Sequence, residues 1–225
     1  MNCQKCNDTG WIFGIDQNGY EYAQECDCVK QRQSLARLER SGLSGLLNKY
    51  TFDLYKANFD FQKDLLNKAN NYIKEKNKWF LVVGQSGTGK SHICTAICGE
   101  LLKQGKEVRF MSWLTESVKL KQNINNAEVY EPLMEEYKNC EVLYIDDLFK
   151  SDNETKPTPA DIKLINEIIN YRCVANKRTI LSTERLIGQL IEYDEASVGR
   201  IIEKAGEYVT QIIGKEKNYR LKEWL

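Results

Sequence analysis

Residues 84–91 of this chain read Gly-Gln-Ser-Gly-Thr-Gly-Lys-Ser, a complete G-x4-G-K-[ST] pattern. That spacing is what a polyphosphate requires. Gly84, Gly87 and Gly89 let the backbone curl until its N–H groups point inward at phosphate oxygens. Lys90 sets a positive charge against the β- and γ-phosphates, and the Ser91 hydroxyl is of the right type to ligate Mg²⁺. Gln85, Ser86 and Thr88 complete the loop, and the positive end of the helix that follows adds to its field. His92, the only histidine in the chain, comes next. It is counted with the loop, although its type reads better as a packing or helix-surface residue than as a ligand. A glycine-rich turn without a ligand is the plain alternative, but the full motif between an apolar run and a helix favours a nucleoside triphosphate, ATP with Mg²⁺.

A second acidic pair says what becomes of that ligand. The run "VLYIDDLF" ends an apolar stretch on Asp146-Asp147, 56 residues after Lys90. The first acid at such a strand end holds Mg²⁺, directly or through water. The second is placed to polarise an attacking water, a general-base role. An acidic turn after a buried strand is the structural alternative. Together with the loop, the pair points to hydrolysis rather than binding alone.

A third group is metal-binding in type. Four of the eight cysteines, Cys3, Cys6, Cys26 and Cys28, lie at the start as C-x2-C and C-x-C. Between them Asn18-Gly19 is a strong hairpin signal and predicts a type I′ turn laying Trp11–Ile15 against Tyr20–Gln24. Such a hairpin would converge four thiolates on a tetrahedral Zn²⁺ site, whose binding energy would fold a segment too small for a core of its own. An iron–sulfur cluster or unliganded thiols remain as alternatives. Disulfides fit poorly, because thiols one residue apart cannot bridge without strain. Cys94, Cys98, Cys140 and Cys173 sit in apolar surroundings and read as small buried hydrophobes.

The elements that must position these groups follow from periodicity. The stretch "VKQRQSLARLERSGLSGLLNKY" (29–50) predicts a charged helix with Leu35, Leu38 and Leu43 loosely periodic, punctuated by Gly42 and Gly45. Residues 59–77 predict a helix with Phe61, Leu65, Leu66, Ala69 and Ile73 on one face. Thereafter apolar strands alternate with helices: "WFLVVG" (79–84), "EVRFMS" (107–112), "EVLYID" (141–146) and "RTILST" (178–183). That alternation predicts an α/β fold with a central parallel sheet flanked by helices. Residues 150–159 read as a polar surface loop. The expected organisation is a zinc-binding hairpin module over 1–30, a helical linker over 31–57 and an ATPase domain over 58–225.

With 32 basic and 32 acidic residues in 225, the net charge is zero, which argues against a blanket nucleic-acid coat but leaves room for a local basic groove. No apolar stretch has the length of a signal or membrane segment, so a cytoplasmic protein without a membrane partner is expected.

The sequence resembles the additional-strand AAA+ ATPases, in particular the DnaC/DnaI-type helicase loaders and their phage relatives. The likeness rests on the four-cysteine knuckle, "YTFD" (50–53), "GQSGTGKS", "VLYIDDL", "INYRCVANKRTILSTE" (169–184), "EASVGRIIEKAG" and the terminal "NYRLKEWL". The resemblance implies an AAA+ P-loop fold and a DnaB-type hexameric replicative helicase as partner, docked through the knuckle. It also implies single-stranded DNA as ligand. Sensor 1 should stand at the end of the fourth strand, where loaders often carry Asn and this chain has Thr183 and Glu184. An acid there would repel nucleotide unless it meets water, Mg²⁺ or a basic neighbour. Arg200 matches the place of an arginine finger that would complete a neighbouring subunit's site, making the active unit a homo-oligomer. Pairing with Glu203 is its alternative. Arg220 is either a second nucleotide sensor or a solvated strand residue. Phe110 and Trp113 beside Lys119 and Lys121 offer bases a stacking surface and phosphates a charge, though an ordinary amphipathic helix has the same composition. A transposition helper of the IstB type, or a nucleotide switch with negligible turnover, are the competing readings.

Overall fold

The computed structural model describes residues 3–40, 43–151 and 155–221. It begins with the antiparallel hairpin of β1 (Trp11–Ile15) and β2 (Glu21–Glu25). Helices α1 (Asp27–Arg40) and α2 (Ser44–Leu47) follow, and α3 (Asp60–Tyr72) leads into the main sheet. The order from there is β3 (Phe80–Gly84), α4 (Lys90–Lys103), β4 (Val108–Ser112), α5 (Trp113–Gln122), α6 (Ala127–Asn139), β5 (Val142–Asp146), α7 (Pro159–Val174), β6 (Arg178–Thr183), α8 (Ile187–Ala205) and β7 (Val209–Ile212).

The five main strands are all parallel, in the order β4-β5-β6-β3-β7. Strands β3 and β6 are buried along their whole length, as the continuous apolar runs predict for a sheet covered on both faces. One face packs Trp79, Leu81, Val83, Leu143, Ile145 and Leu181 against α5–α8. The other packs Phe80, Val82, Val142, Tyr144 and Ile180 against α3 and α4. Leu65, Ala69 and Tyr72 of α3 are buried, with Phe61, Leu66 and Ile73 packed at their margin, so the periodic face read from sequence is the inner one. Four strands were legible as apolar runs. The fifth, Val-Thr-Gln-Ile, is short and half polar, and only its pairing beside β3 makes it a strand.

Several expectations are corrected. The hairpin pairs Trp11 with Glu25 and Ile15 with Glu21, one residue further along than predicted. Its turn is not type I′, because only Gly19 has positive φ. The Asp16 carboxylate accepts from the N–H of Asn18 and Tyr20, and Gly19 N–H donates to Asp16 O, which builds a longer turn closed by a left-handed glycine. Pro159 belongs to α7 rather than the loop, since a proline suits the first turn and Thr158 with Asp161 forms a capping box ahead of it. In the predicted 29–50 helix, Leu43 is buried in the core, whereas the side chains of Leu35 and Leu38, and Gly42, lie outside the described residues. Cys94, Cys98 and Cys140 are buried as expected, and Cys173 is half-buried.

Arg172 on α7 stitches the far end of the sheet. Fully buried, it donates to the carbonyls of Tyr137, Lys138, Cys140 and Arg178 and to the Thr179 hydroxyl. Methionine fills a similar volume but leaves those acceptors unpaired in a dry interior. We therefore expect Arg172→Met to cost about 3 kcal/mol or more, and to lower the melting temperature by roughly 6–12 °C. A melt within 2 °C of wild type, read by differential scanning calorimetry, would refute it.

Candidate active site

The sheet delivers the two motifs to the same edge. β3 ends at Gly84, β5 at Asp146 and β6 at Thr183, so the loops leaving three adjacent strands meet at their carboxyl ends. Gly84 has φ 154°, and a Cβ there would meet Ile212 O at 2.6 Å, so the loop leaves the sheet against β7 only because this residue is glycine. Gly89 then caps α4 in the left-handed conformation. Lys90 is buried and donates to Gln85 O at 2.9 Å. Burial holds its pKa below the usual ammonium range, with Glu184 and Asp147 acting in the opposite direction. A bound phosphate would repay that desolvation directly.

Around the acids the geometry is specific. Asp146 Oδ1 accepts from Tyr144 Oη (2.6 Å), from Ser182 Oγ and from Ser91 Oγ (3.2 Å). Ser91 and Asp146 thus stand together as a Mg²⁺ pair requires. Asp147 adopts φ 54°, its N–H held by Ser182 Oγ at 3.1 Å. That left-handed turn, tolerated by Asp, brings its carboxylate to Lys150 Nζ at 2.8 Å. Thr183 and Glu184 separate in role. The Thr183 hydroxyl is buried, donating to Leu148 O and accepting from Arg185 N–H, whereas Glu184 lines the cavity and lies 3.4 Å from Lys150. Lys150 is the basic neighbour that an acid at this position needs, and nothing in its loop composition had marked it.

The cavity, about 330 Å³, is lined by Ser86, Gly87, Gly89, Lys90, Ser91 and His92 on one side, and by Asp147, Lys150 and Glu184 on another. Two further segments complete it, one that sequence reasoning placed outside the site and one in which it had marked Arg220 as a nucleotide sensor. Tyr50, Leu54, Tyr55 and Lys56, read as linker, form one wall, and Tyr219 and Arg220 form another. His92 stacks on Tyr50 (4.8 Å between ring centroids) and its Nε2 lies 2.8 Å from Thr51 O, so it pins that segment to α4 by packing. Tyr219 N–H donates to Gly87 O at 2.9 Å, and Arg220 Nη1 lies 3.4 Å from Ser86 Oγ, which brings Arg220 to the phosphate loop rather than into a strand.

Other sequence candidates lie apart. Arg200 is exposed on α8, its Nη1 donating to Ala196 O at 3.1 Å. Trp113 is 2% exposed and packs edge-on against Phe149, so it is a core residue and cannot stack on a base. Phe110 is turned onto Tyr144. Lys121 is taken up by Asp161 at 2.7 Å, and Lys119 pairs with Glu116 on the surface of α5.

At the amino end Cys3, Cys6, Cys26 and Cys28 form one cluster, their sulfurs all within 4.8 Å of one another. The Cys3–Cys26 and Cys6–Cys28 pairs are 3.7 and 3.3 Å apart, close to the spacing of about 3.8 Å between thiolates of a tetrahedral zinc site. Gly10 N–H and the Arg32 guanidinium donate to Cys6 and Cys28 sulfurs, the kind of N–H···S support that thiolate ligands take. Burial opposes ionisation of Cys6, but Gly10 N–H and the neighbouring thiols bring its pKa down to about 7. The residues present fit a zinc ion. The hairpin above leaves Trp11, Phe13 and Ile15 exposed on one face, opposite Ile12, which packs on the cysteines. No helix among the described residues is long and apolar enough to cross a membrane.

A family model described as Novel STAND NTPase 3 matches residues 61–220. The phage-like element PBSX protein XkdC of Bacillus subtilis is 30% identical over 98% of this chain and 86% of its own. The replicative helicase loader DnaC of Escherichia coli K12 is 28% identical over 79% of this chain and 76% of its own. Among solved structures, a DnaC helicase loader superposes with TM-score 0.64 at 22% identity, over 73% of this chain and 97% of that one. DnaA from Aquifex aeolicus bound to AMPPCP gives 0.61 at 20% identity, over 78% and 56% respectively.

Proposed function

We propose, from the premise that this chain belongs to the Novel STAND NTPase 3 family and is a DnaC/DnaI-type AAA+ protein, that it is an ATP-dependent loader of a hexameric replicative helicase. One observation carries the reading. The glycine loop, Ser91 (bonded to Asp146) and Asp147 line one cavity, in a chain whose relatives include a helicase loader. In use, Lys90 and the loop N–H groups hold the phosphates of ATP, and Ser91 with Asp146 holds Mg²⁺. Asp147 orients the attacking water, and Arg220 lies where it can contact the phosphates. The exposed Arg200 is free to reach a neighbouring subunit's site. The four-cysteine hairpin, carrying Zn²⁺, serves as the docking head, and its uncovered Trp11, Phe13 and Ile15 support that role. Single-stranded DNA is the expected nucleic-acid ligand. With Trp113 in the core, the reading of α5 as a DNA contact rests on the surface residue Lys119, which pairs with Glu116.

The test is light-scattering size exclusion of the protein mixed with its host's hexameric helicase, with and without ATP. A stoichiometric complex that is lost on removing residues 1–30 is expected. No complex, with ATP-dependent assembly on duplex DNA instead, would replace this reading with that of a transposition helper. Arg200→Ala should leave ATP affinity within about twofold and reduce turnover in the assembled state about 1,000-fold. Equal turnover by the variant in the assembled state would remove Arg200 from the site.

A further inference from the structure

Two carboxylates, Asp147 and Glu184, and two ammonium groups, Lys90 and Lys150, line the acidic end of the cavity, with Asp146 bonded to Ser91 of its wall. Asp146 is committed to Ser91, Tyr144 and Ser182, and Lys90 to its own loop. The remaining groups form a chain: Asp147 Oδ2 to Lys150 Nζ at 2.8 Å, and Lys150 Nζ on to Glu184 Oε1 at 3.4 Å. Lys150 follows β5 by four residues and Glu184 follows β6 by one, so neighbouring strands hold the two ends of this chain in register. The same three residues line the cavity, while Lys150 and Glu184 also line the 580 Å³ cleft beside it.

A terminal phosphate entering here meets Asp147 and Glu184, two negative charges, where a polar amide would have been neutral. Lys90 and Mg²⁺ would offset part of that cost from the loop side, and a cation between the two acids would offset the rest. Lys150 is that cation in position and in build: a compact charge on a flexible four-carbon stem, with three donors to distribute. Its hold on Glu184 is the longer of the two. Burial works against its charge, but Asp147 and Glu184 outweigh it and keep the ammonium form favoured.

We propose that Lys150 is the γ-phosphate sensor of this chain. Tethered by Asp147, it exchanges Glu184 for the terminal phosphate of ATP, so that the Lys150–Glu184 pair distinguishes ATP from ADP. This rests on the nucleotide-binding reading above. Lys150 acts on the ligand directly, and Glu184 acts through Lys150 as a positioning residue. The two predicted effects have opposite signs, which a merely structural role would not produce. Losing Lys150 exposes the phosphate to two carboxylates, while neutralising Glu184 removes both a repulsion and a competitor for the ammonium group.

The measurement is calorimetric titration of the full chain with AMPPCP and with ADP, Mg²⁺ present, for wild type, Lys150→Met and Glu184→Gln. Lys150→Met is expected to weaken AMPPCP about tenfold or more and ADP by less than about twofold. Glu184→Gln should tighten AMPPCP and leave ADP unchanged. Equal losses for both nucleotides in Lys150→Met, or weaker AMPPCP binding by Glu184→Gln, would overturn the sensor. If Lys150→Met melts below wild type, Glu184→Gln decides alone, because it leaves the lysine and its Asp147 tether in place. Wild-type protein that binds neither nucleotide would sink the ATPase reading itself, a different failure from unselective binding.

Discussion

Replacing Asp147 by Asn is expected to reduce ATP turnover about 100- to 10,000-fold while leaving ATP affinity close to wild type. The asymmetry comes from where the acid stands. In the proposed scheme Mg²⁺ falls to Asp146 and Ser91 and the phosphates to the loop and Lys90, so Asp147 bears on ground-state binding only through Lys150, where losing its negative charge and losing the tether act in opposite directions. Asparagine keeps the shape and, like aspartate, tolerates the left-handed φ of 54° at this position. Alanine would be a poorer experiment, because strain in the turn would move Leu148, whose N–H is bonded to Ser182 O. Steady-state hydrolysis beside a nucleotide titration checks the split. Unchanged turnover would remove Asp147 as the base, and a parallel fall in affinity would make it a binding residue instead.

If the four cysteines hold zinc as proposed, its chelation is expected to have the second large effect. The hairpin cannot hold itself. Trp11, Phe13, Ile15, Tyr20 and Tyr22 are all exposed, and the buried side chains of the module are three of the four cysteines. Structural zinc contributes about 10–16 kcal/mol in comparable peptides, so its removal should unfold residues 3–26 outright. The parallel sheet, with its own two-faced core, should keep its melting temperature. The full-length protein should release one zinc per chain to a strong chelator and lose amide protection in β1 and β2 alone. Cys26→Ser, at the least exposed of the four, should do the same without chelator. Protein that purifies without metal and still protects the hairpin would refute this, and a visible iron–sulfur chromophore would reassign the metal.

How much of this was legible beforehand divides along the range of the interactions. The phosphate loop, the acidic pair, the cysteine cluster and four parallel strands are local patterns, and each stands where it was expected. What escaped depends on partners distant in sequence. β7 is a strand because β3 accepts it, over a hundred residues upstream. Tyr50–Lys56 look like a tether, yet His92 stacks Tyr50 onto α4 and the segment walls the cavity. Trp113 sits beside lysines in sequence, and its ring is claimed by Phe149, 36 residues further along the chain. Lys150 is one lysine among many until β5 and β6 bring it between Asp147 and Glu184. The turn at Gly19 was misjudged for a local reason, because the Asp16 side chain captured the backbone before Asn18 could adopt positive φ.

The indoles of this protein are distributed unevenly. Trp11 is half exposed on the cysteine-bound hairpin, whereas Trp79 and Trp113 are shut inside the sheet's core, the latter against Phe149 two residues from Asp147. Trp224 lies outside the described residues. With Trp224→Phe, the unlabelled chain carries two optical channels. A water-soluble quencher reaches Trp11 and barely reaches the interior pair, so shielding of the quenchable emission tracks coverage of the hairpin. A change in the protected emission reports instead on the turn that carries Asp147. Coverage at one end and rearrangement at the other can be followed in one cuvette, with no dye attached to either.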